Sequence, residues 1–204
     1  MRIVAANELQ DWLSHGELLE KDSFGPKVVR LADGRLLKIM RSRRTPFLAR
    51  LLPSAQRFSR NAQRLQQAGI ATPLIEECVW IDRENAVSAC LYQPLPGEPL
   101  DGIFRNDKTR FLTLLPQLAA YIYRLHQHGL YFRSLHLGNI LLTADGGFGL
   151  IDFLDMRFKR GPLGKRLVRR NFEHLRGYLQ RRKVDGFPWE ELLAAYALAS
   201  KASS

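Results

Sequence analysis

A change in hydrophobic periodicity at residues 94–100 constrains the fold of this chain more than any other feature of its sequence. The segment PLPGEPL holds three prolines and one glycine, which is typical of a stiff connector because proline restricts the backbone and ends regular structure. Short apolar runs bounded by turn residues precede the connector, whereas long runs with helical spacing follow it. The 204 residues suit one core or two small lobes. The pattern predicts an α+β protein with a small, antiparallel β-rich lobe at residues 1–94 and a mostly α-helical lobe at residues 95–204.

Five strands and one helix are predicted before the connector. The strands are the runs ELLEKDS, KVVRL, RLLKIM, EECVWI and AVSACLYQPL, and turns at Gly25 and at Asp33-Gly34 separate the first three. Residues 47–67 repeat apolar side chains at helical spacing, with Leu51 on the apolar face. This spacing predicts a single helix that ends at Gly69.

The second part of the chain is predicted to be helical apart from one hairpin. A long amphipathic helix extends from Phe111 to Leu125. The runs NILL and FGLIDF, joined by TADGG, predict two short strands with a tight turn. A basic helix follows, and a last helix begins near Pro188. The basic helix carries an apolar stripe at Val168, Phe172, Leu175 and Leu179.

The net charge of +11 is concentrated in one segment. Residues 157–183 contain eleven Lys and Arg residues and the single acidic residue Glu173. A basic surplus with so little acid beside it favours an anionic partner, such as a sugar phosphate or an acidic membrane surface. The alternative is a solvated face without a partner. Nucleic acid is not expected, because the sequence has no helix-turn-helix, zinc or stacking-aromatic signature.

The cysteines and the lengths of the apolar runs indicate the environment of the protein. Cys78 and Cys90 lie in apolar runs and belong to no CxxC pair, so they are expected to be buried reduced thiols or, alternatively, a disulfide between neighbouring strands. The N-terminal segment lacks the apolar region of a secretory signal, and no apolar run is long enough to span a membrane. We therefore expect the protein in the cytosol or on a membrane surface.

Asn139 and Asp152 are the strongest candidates for chemistry in the sequence. The order of loop, strand, turn and strand puts these residues at adjacent ends of the predicted hairpin. An amide oxygen and a carboxylate held together are suitable ligands for Mg²⁺, with room for phosphate oxygens, and Lys38 on an upstream strand could reach those phosphates. The alternatives are that Asn139 forms a turn and that Asp152 caps a helix.

The segment from 128 to 153 resembles the catalytic loop and metal-binding strand of the protein-kinase-like fold. Arg133, Leu135 and Asn139 match the family's loop, and Asp152-Phe153 match its metal motif. The phrases YFRSLHLGN, LYQPLPGEPL and GIATP more narrowly resemble the lipopolysaccharide core kinase family, in its InaA-like branch of toluene tolerance proteins. The resemblance implies a bilobal kinase-like fold with ATP and Mg²⁺ as cofactors. It implies Asn139 and Asp152 as metal ligands, and Lys38, Asn139, Asp152 and Gly25 as nucleotide-binding residues.

The sequence also departs from the family's pattern. Ser134 occupies the position of the catalytic aspartate, and a serine hydroxyl has no basic form near neutral pH. His136 is a substitute base or, alternatively, a loop histidine bonded to the backbone. No acidic residue lies between Asp33 and Glu76, so the first helix offers Lys38 no carboxylate. Pro26 after Gly25 lacks an N–H, so the first turn offers few donors to phosphate.

The resemblance and these departures together lead to two functional expectations. The first is an ATP-dependent phosphotransferase that acts on a lipopolysaccharide core sugar through a degenerate catalytic loop, with weakened or lost activity. Its predicted catalytic residues are Ser134, His136 and Asp152. The alternative is an inactive pseudokinase that binds nucleotide and serves as a regulatory or scaffolding module. Residues 157–183 are expected to contact lipopolysaccharide core or an acidic membrane surface, with the protein cytoplasmic and peripheral to the inner membrane.

Overall fold

The structure, a computed structural model, describes residues 1–42 and 46–202 and has an α+β fold with a small antiparallel sheet of five strands and several helices. Two compact units make up the chain, an N-terminal unit, Met1–Leu95, and a C-terminal unit, Pro96–Ser204. Their boundary lies within the proline-rich segment at 94–100. Each unit has its own secondary-structure elements and its own buried residues.

The N-terminal unit is built on the five-stranded sheet. The strands are β1 Glu17–Asp22, β2 Gly25–Arg30, β3 Leu36–Arg41, β4 Leu74–Asp82 and β5 Val87–Gln93. All neighbouring strands are antiparallel, and their spatial order is β1-β2-β3-β5-β4. The five predicted strands are therefore confirmed, and the register pairs Lys38 with Val28 on one side and with Cys90 on the other.

Helices pack on both faces of this sheet, because successive side chains of a strand point to opposite faces. On one face, Leu37 and Leu91 are buried with Leu9 and Trp12 of α1 (Ala6–His15), a helix that the sequence analysis did not predict. On the other face lies α3 (Ser54–Gln67), which buries Ala55, Phe58, Ala62 and Leu65.

The single helix predicted over residues 47–67 is wrong in one respect. The structure contains two helices, α2 (Pro46–Leu51) and α3, and they are separated at Pro53. Proline lacks the N–H that a helix interior needs and disfavours helical geometry at Leu52 before it. Leu51, predicted on the buried face, has 69% of its surface exposed.

The C-terminal unit is mostly helical, as predicted. It contains α4 (Leu100–Asn106), α5 (Lys108–Gln127), α6 (Lys165–Arg181) and α7 (Trp189–Ala202). The predicted hairpin is confirmed as β8 (Ile140–Leu142) and β9 (Phe148–Leu150), which pair antiparallel, and β6 (Glu98–Pro99) joins β8 from its other side. A second short pair joins β7 (Leu130–Tyr131) to β10 (Arg157–Phe158).

The apolar stripe of α6 faces the interior of the C-terminal unit. Phe172, Leu175 and Leu179 are buried, and Val168 is partly exposed. The stripe is therefore used in packing rather than held open for a second surface. Within residues 1–42 and 46–202, no helix is long and apolar enough to cross a membrane.

Candidate functional site

The β8–β9 hairpin brings Asn139 and Asp152 to the same end of two strands. Ile140 pairs with Leu150, and the N–H of Ile151 donates to the carbonyl oxygen of Asn139 at 3.0 Å. This bond extends the ladder by one step beyond the strands, so that Asn139 leads into β8 directly beside the exit from β9. The adjacency predicted from the sequence is thus present in the backbone.

The side chain of Asn139 is buried and held by the preceding loop. Its Nδ2 donates to the carbonyl oxygen of Ser134 at 3.0 Å, and its backbone N–H donates to the carbonyl of His136 at 2.9 Å. Because Nδ2 is engaged on one side, Oδ1 points to the other side of the planar amide. An amide oxygen oriented in this way is a suitable ligand for a hard cation.

Asp152 has an unusual backbone conformation. Its φ is +52°, a region that residues with a Cβ adopt at a cost of about 1–3 kcal/mol. Asp accepts this conformation more readily than most residues, but the local structure must still enforce it. Strained backbone of this kind concentrates at functional sites, so the conformation supports Asp152 as a site residue.

A second carboxylate, Asp155, lies beside Ser134. Ser134 Oγ donates to Asp155 Oδ2 at 2.9 Å. Burial raises the pKa of Asp155 and the charge of Asp152 adds to the rise, although the Ser134 hydrogen bond and the Arg133 charge oppose it. Among the described residues, Asp155 Oδ1 is one of the few buried polar side-chain atoms without a hydrogen-bond partner. A buried carboxylate oxygen with spare capacity is costly and indicates a functional role.

Asp155 was missed by the sequence analysis. The only signal was the second acid of the run DFLD, three residues after Asp152 and just before the most basic segment of the chain. The family pattern gives this position no role. Only the fold shows that the turn closed by the Met156 N–H and the Phe153 carbonyl, 3.1 Å apart, brings Asp155 back to the loop.

His136 is packed against an aromatic ring. It stacks on Tyr178 with ring centroids 3.9 Å apart and planes 3° from parallel. Burial lowers the pKa of His136, and the nearby Asp152 and Asp101 charges only partly offset this. Its Nδ1 is buried and, in the described part of the chain, has no hydrogen-bond partner. A Cβ at Gly138 would lie 3.4 Å from that nitrogen, so the small residue leaves room for the ring.

We call Ser134, His136, Asn139, Asp152 and Asp155 the hairpin-end cluster. No group of three or more His, Cys, Asp or Glu residues suited to a metal ion occurs within residues 1–42 and 46–202. Mg²⁺, however, is commonly bound by one or two protein oxygens, with phosphate oxygens and water completing its shell. The amide oxygen of Asn139 and the carboxylate of Asp152 fit that kind of site.

A separate set of polar side chains in the same unit holds the start of the loop that precedes β8, at Phe132. Asn171 Oδ1 accepts from His126 Nε2 at 3.1 Å, and Asn171 Nδ2 donates to the carbonyl oxygen of Phe132. Tyr196 OH lies 2.8 Å from His126 Nδ1. Burial lowers the pKa of His126 to about 4. These groups, which we call the His126 network, tie α5, α6 and α7 to the start of the loop.

In the N-terminal unit, Lys38 lies on β3 beneath α3. Only 7% of its surface is exposed, and its Nζ lies 5.3 Å from the centre of the Phe58 ring. A cation over a buried aromatic face is stabilised by about 2 kcal/mol. The sequence of α3 contains no carboxylate that could pair with Lys38. Phe58 of the same helix instead provides an aromatic contact for the Lys38 ammonium group.

Gly25 begins β2 and follows a tight turn. Its φ of +110° requires glycine, although a Cβ there would meet no atom within 4 Å. The Phe24 N–H already donates to Asp22, and Arg41 donates to the carbonyls of Phe24 and Pro26. The turn thus has few amide donors to offer a phosphate, and a nucleotide-binding role for Gly25 stays a prediction.

The basic segment 157–183 presents most of its charge to solvent. The single acid, Glu173, pairs with Arg169 at 3.4 Å, and both side chains are well exposed. Because the apolar stripe of α6 is buried, the outward surface of the helix is cationic rather than amphipathic. Exposed Lys and Arg residues on this surface include Lys165, Arg166, Arg169, Arg170, Arg176 and Arg181.

Comparison with protein-family models and with curated protein sequences found no match to this chain.

Proposed function

We propose that this chain is an ATP-dependent phosphotransferase of the protein-kinase-like fold, with Mg²⁺ as its metal ion and a sugar of the lipopolysaccharide core as its acceptor. The observation that carries the proposal is the junction of Asn139 and Asp152 at one end of the β8–β9 hairpin, with the backbone bond from Ile151 to Asn139. A five-stranded antiparallel sheet followed by helices and this hairpin is compatible with such a fold.

In this proposal, Asn139 and Asp152 hold the metal ion, and Lys38 has the nucleotide-binding role that the motif resemblance implies. When bound, Mg²⁺–ATP supplies the transferable γ-phosphoryl group and positive charge beside its oxygens. The bond from Asn139 Nδ2 to Ser134 orients the amide before any ligand arrives. Lys38 keeps a rigid, buried stem through its place in the sheet and its contact with Phe58. Preorientation of this kind lowers the cost of binding and positions the groups for transfer.

Asp155 acts through Ser134 as the general base. The hydroxyl of Ser134 already donates to Asp155 Oδ2. When the acceptor oxygen bonds to the γ-phosphorus, the bond from that phosphorus to the bridging oxygen would break and ADP would leave. The acceptor's proton would pass to Ser134 Oγ, and the proton of Ser134 would pass to Asp155 Oδ2. The raised pKa of Asp155 makes it a stronger base than an exposed aspartate. Ser134 and Asp155 together thus supply the proton acceptor that serine alone lacks.

The cationic surface of residues 157–183 selects an anionic acceptor. Its exposed Lys and Arg residues attract phosphorylated sugars or an acidic membrane face, and each contributes about 1 kcal/mol near such a surface. Contact through this surface is electrostatic, because the apolar stripe of α6 is buried. We accordingly propose that the protein is cytoplasmic and peripheral to the inner membrane.

A pseudokinase is the second candidate, and Ser134 at the position of the family's aspartate is the observation that favours it. Such a protein would bind nucleotide through the same residues and would not turn it over. The test that separates the candidates is therefore turnover, not binding.

The test is ADP release from ATP and Mg²⁺ in the presence of purified lipopolysaccharide core oligosaccharide. Asp152→Ala is the loss variant, and Asp145→Ala is its matched control, because Asp145 is an exposed aspartate in the turn of the same hairpin. Turnover that disappears only in Asp152→Ala supports the phosphotransferase. Nucleotide binding without turnover supports the pseudokinase, and absence of both contradicts the proposal in either form.

A further inference from the structure

Cys78 and Cys90 face each other across two neighbouring strands. The antiparallel register of β4 and β5 pairs these residues directly, and their Sγ atoms lie 3.2 Å apart as free thiols. Both thiols also lie near one acceptor, the carbonyl oxygen of Ala55 at the start of α3, at 3.5 and 3.4 Å. The sequence left open whether these cysteines face each other, and the strand register shows that they do.

We propose that Cys78 and Cys90 form a reversible dithiol–disulfide site that reacts with low-molecular-weight disulfides. Directly opposed residues of an antiparallel pair have Cα atoms about 4.5–5.5 Å apart, which lies within the range that disulfides span. The directly opposed register of the pair is therefore compatible with a disulfide bond. The inference is independent of the proposed phosphotransferase activity, because it uses only the sheet of the N-terminal unit.

The two thiols differ in access to a reagent. Cys78 is half-buried and lines an open cleft of about 390 Å³ together with Ser59, Arg60 and Gln63. Cys90 is fully buried. A small disulfide in solution can thus reach Cys78 through the cleft and cannot reach Cys90 directly. This difference assigns Cys78 as the attacking thiol and Cys90 as the resolving thiol.

The local electrostatics give the same order. The hydrogen bond from Cys90 lowers the pKa of Cys78, and a further bond involving Ser59 acts in the same direction. The pKa of Cys90 is raised by the same interaction and by burial. Cys78 is therefore the thiol that ionises first, and the thiolate is the reactive form.

The reaction is an ordinary thiol–disulfide exchange in two steps. The Cys78 thiolate attacks one sulfur of a small disulfide, which forms a mixed disulfide and expels one small thiolate. The Cys90 sulfur then attacks Cys78, loses its proton to solvent and expels the second small thiolate. The protein loses two electrons and two protons in total, and one small disulfide is reduced to two small thiols.

Oxidation removes the S–H donors that face Ala55 and joins the two strands beneath α3. Cys90 is also the strand partner of Lys38, so the new bond lies one strand away from the buried lysine. A change at this pair is therefore expected to alter the surroundings of Lys38.

The site can be tested with glutathione buffers of defined composition, because Cys78 and Cys90 are the only cysteines of the chain. Intact mass and free-thiol titration would be measured for the wild type, Cys78→Ser, Cys90→Ser and the double variant as a blank. We expect the wild type to lose two thiols and two hydrogens and to regain them with dithiothreitol. Cys90→Ser should accumulate one glutathione adduct, and Cys78→Ser should react at least about tenfold more slowly.

Three results would overturn the proposal. They are a wild type that keeps both thiols in excess oxidised glutathione, a wild type that forms only dimers between chains, and equal reaction rates for the two single variants. Circular dichroism of each variant separates these results from a failure to fold. The alanine variants Cys78→Ala and Cys90→Ala repeat the comparison if serine destabilises the sheet.

Discussion

Two polar groups of the C-terminal unit differ in how many of their buried side-chain atoms have hydrogen-bond partners. In the His126 network, both ring nitrogens of His126 and both amide atoms of Asn171 have partners. In the hairpin-end cluster, His136 Nδ1 and Asp155 Oδ1 are buried and, in the described part of the chain, have none. Both groups contact the loop that precedes β8. The His126 network bonds to the Phe132 carbonyl, and the hairpin-end cluster includes Ser134.

The difference separates a structural role from a chemical one. A satisfied polar network stabilises one arrangement of helices, and removing a member leaves its partner without a bond. Buried polar atoms without hydrogen-bond partners lower the stability of the fold. They are retained where they can bind a ligand or accept a proton. Variants of the two groups should therefore affect different properties of the protein.

The largest expected effect is on turnover in Asp155→Asn. The amide keeps the shape of the side chain and cannot take a proton from Ser134, so turnover should fall about 10²–10⁴-fold. The thermal midpoint should stay level or rise, because a buried carboxylate with a raised pKa is replaced by a neutral group. Coupled ADP release and thermal unfolding measure the two effects.

The matched control for this prediction is Asp145→Asn. Asp145 is exposed, and its hydrogen bonds to Thr143 and Gly147 lower its pKa. This change should leave turnover intact and should not raise stability. If Asp155→Asn kept full turnover, the proton path through Ser134 would be wrong.

The next largest expected effect is on vesicle binding by the exposed cations of α6. Replacing Arg166, Arg169 and Arg170 with Gln should weaken binding to anionic vesicles roughly 100-fold, since each cation contributes about 1 kcal/mol. Rising salt should reduce wild-type binding strongly. Vesicle flotation at low and physiological salt is the measurement.

The control for the vesicle experiment removes three exposed cations elsewhere in the same unit. Changing Lys108, Arg124 and Lys201 to Gln alters the net charge equally. It should weaken flotation much less than the change in α6. Equal flotation of both triple variants would make residues 157–183 an ordinary solvated face.

The smallest effect is the pH dependence of stability that arises from His126. Its folded-state pKa of about 4 lies below the ordinary 6.5, so the unfolded chain binds an extra proton between these values. Its contribution is complete above pH 6.5 and is lost as the pH falls toward 4. From pH 7 to pH 5, the free energy of unfolding should decrease by about 2 kcal/mol on this account.

His126→Gln isolates this contribution, because glutamine does not titrate. Urea unfolding at both pH values should show a smaller decrease for the variant than for the wild type, and turnover per folded molecule should change little. The same decrease in both proteins would assign the pH dependence to other groups.

Much of the secondary structure was predictable from local signals. The five strands, the long helix α5 and the β8–β9 hairpin follow from periodicity and turn residues, and the structure confirms them. The prediction failed at Pro53, because it gave the apolar spacing of residues 47–67 more weight than the tendency of proline to interrupt a helix. It also missed α1, whose residues Leu9 and Trp12 pack on the sheet.

The candidate site was predictable only where its residues are adjacent in the hairpin. Asn139 and Asp152 are joined by local backbone pairing, which sequence patterns describe. Asp155 depends on a turn that folds back onto the loop, a tertiary relation for which a single sequence carries no periodic signal. The sequence left the pairing of Cys78 and Cys90 as an alternative only, because strand register decides it.

The central claim is that the hairpin end binds a magnesium–nucleotide complex. Isothermal titration of ATP with and without Mg²⁺ tests it most directly, using the wild type, Asp152→Ala and the exposed control Asp145→Ala. We predict binding in the wild type and the control that requires Mg²⁺ and is weakened at least about tenfold in Asp152→Ala. Absence of binding at millimolar ATP, or equal binding by Asp152→Ala, would contradict the account.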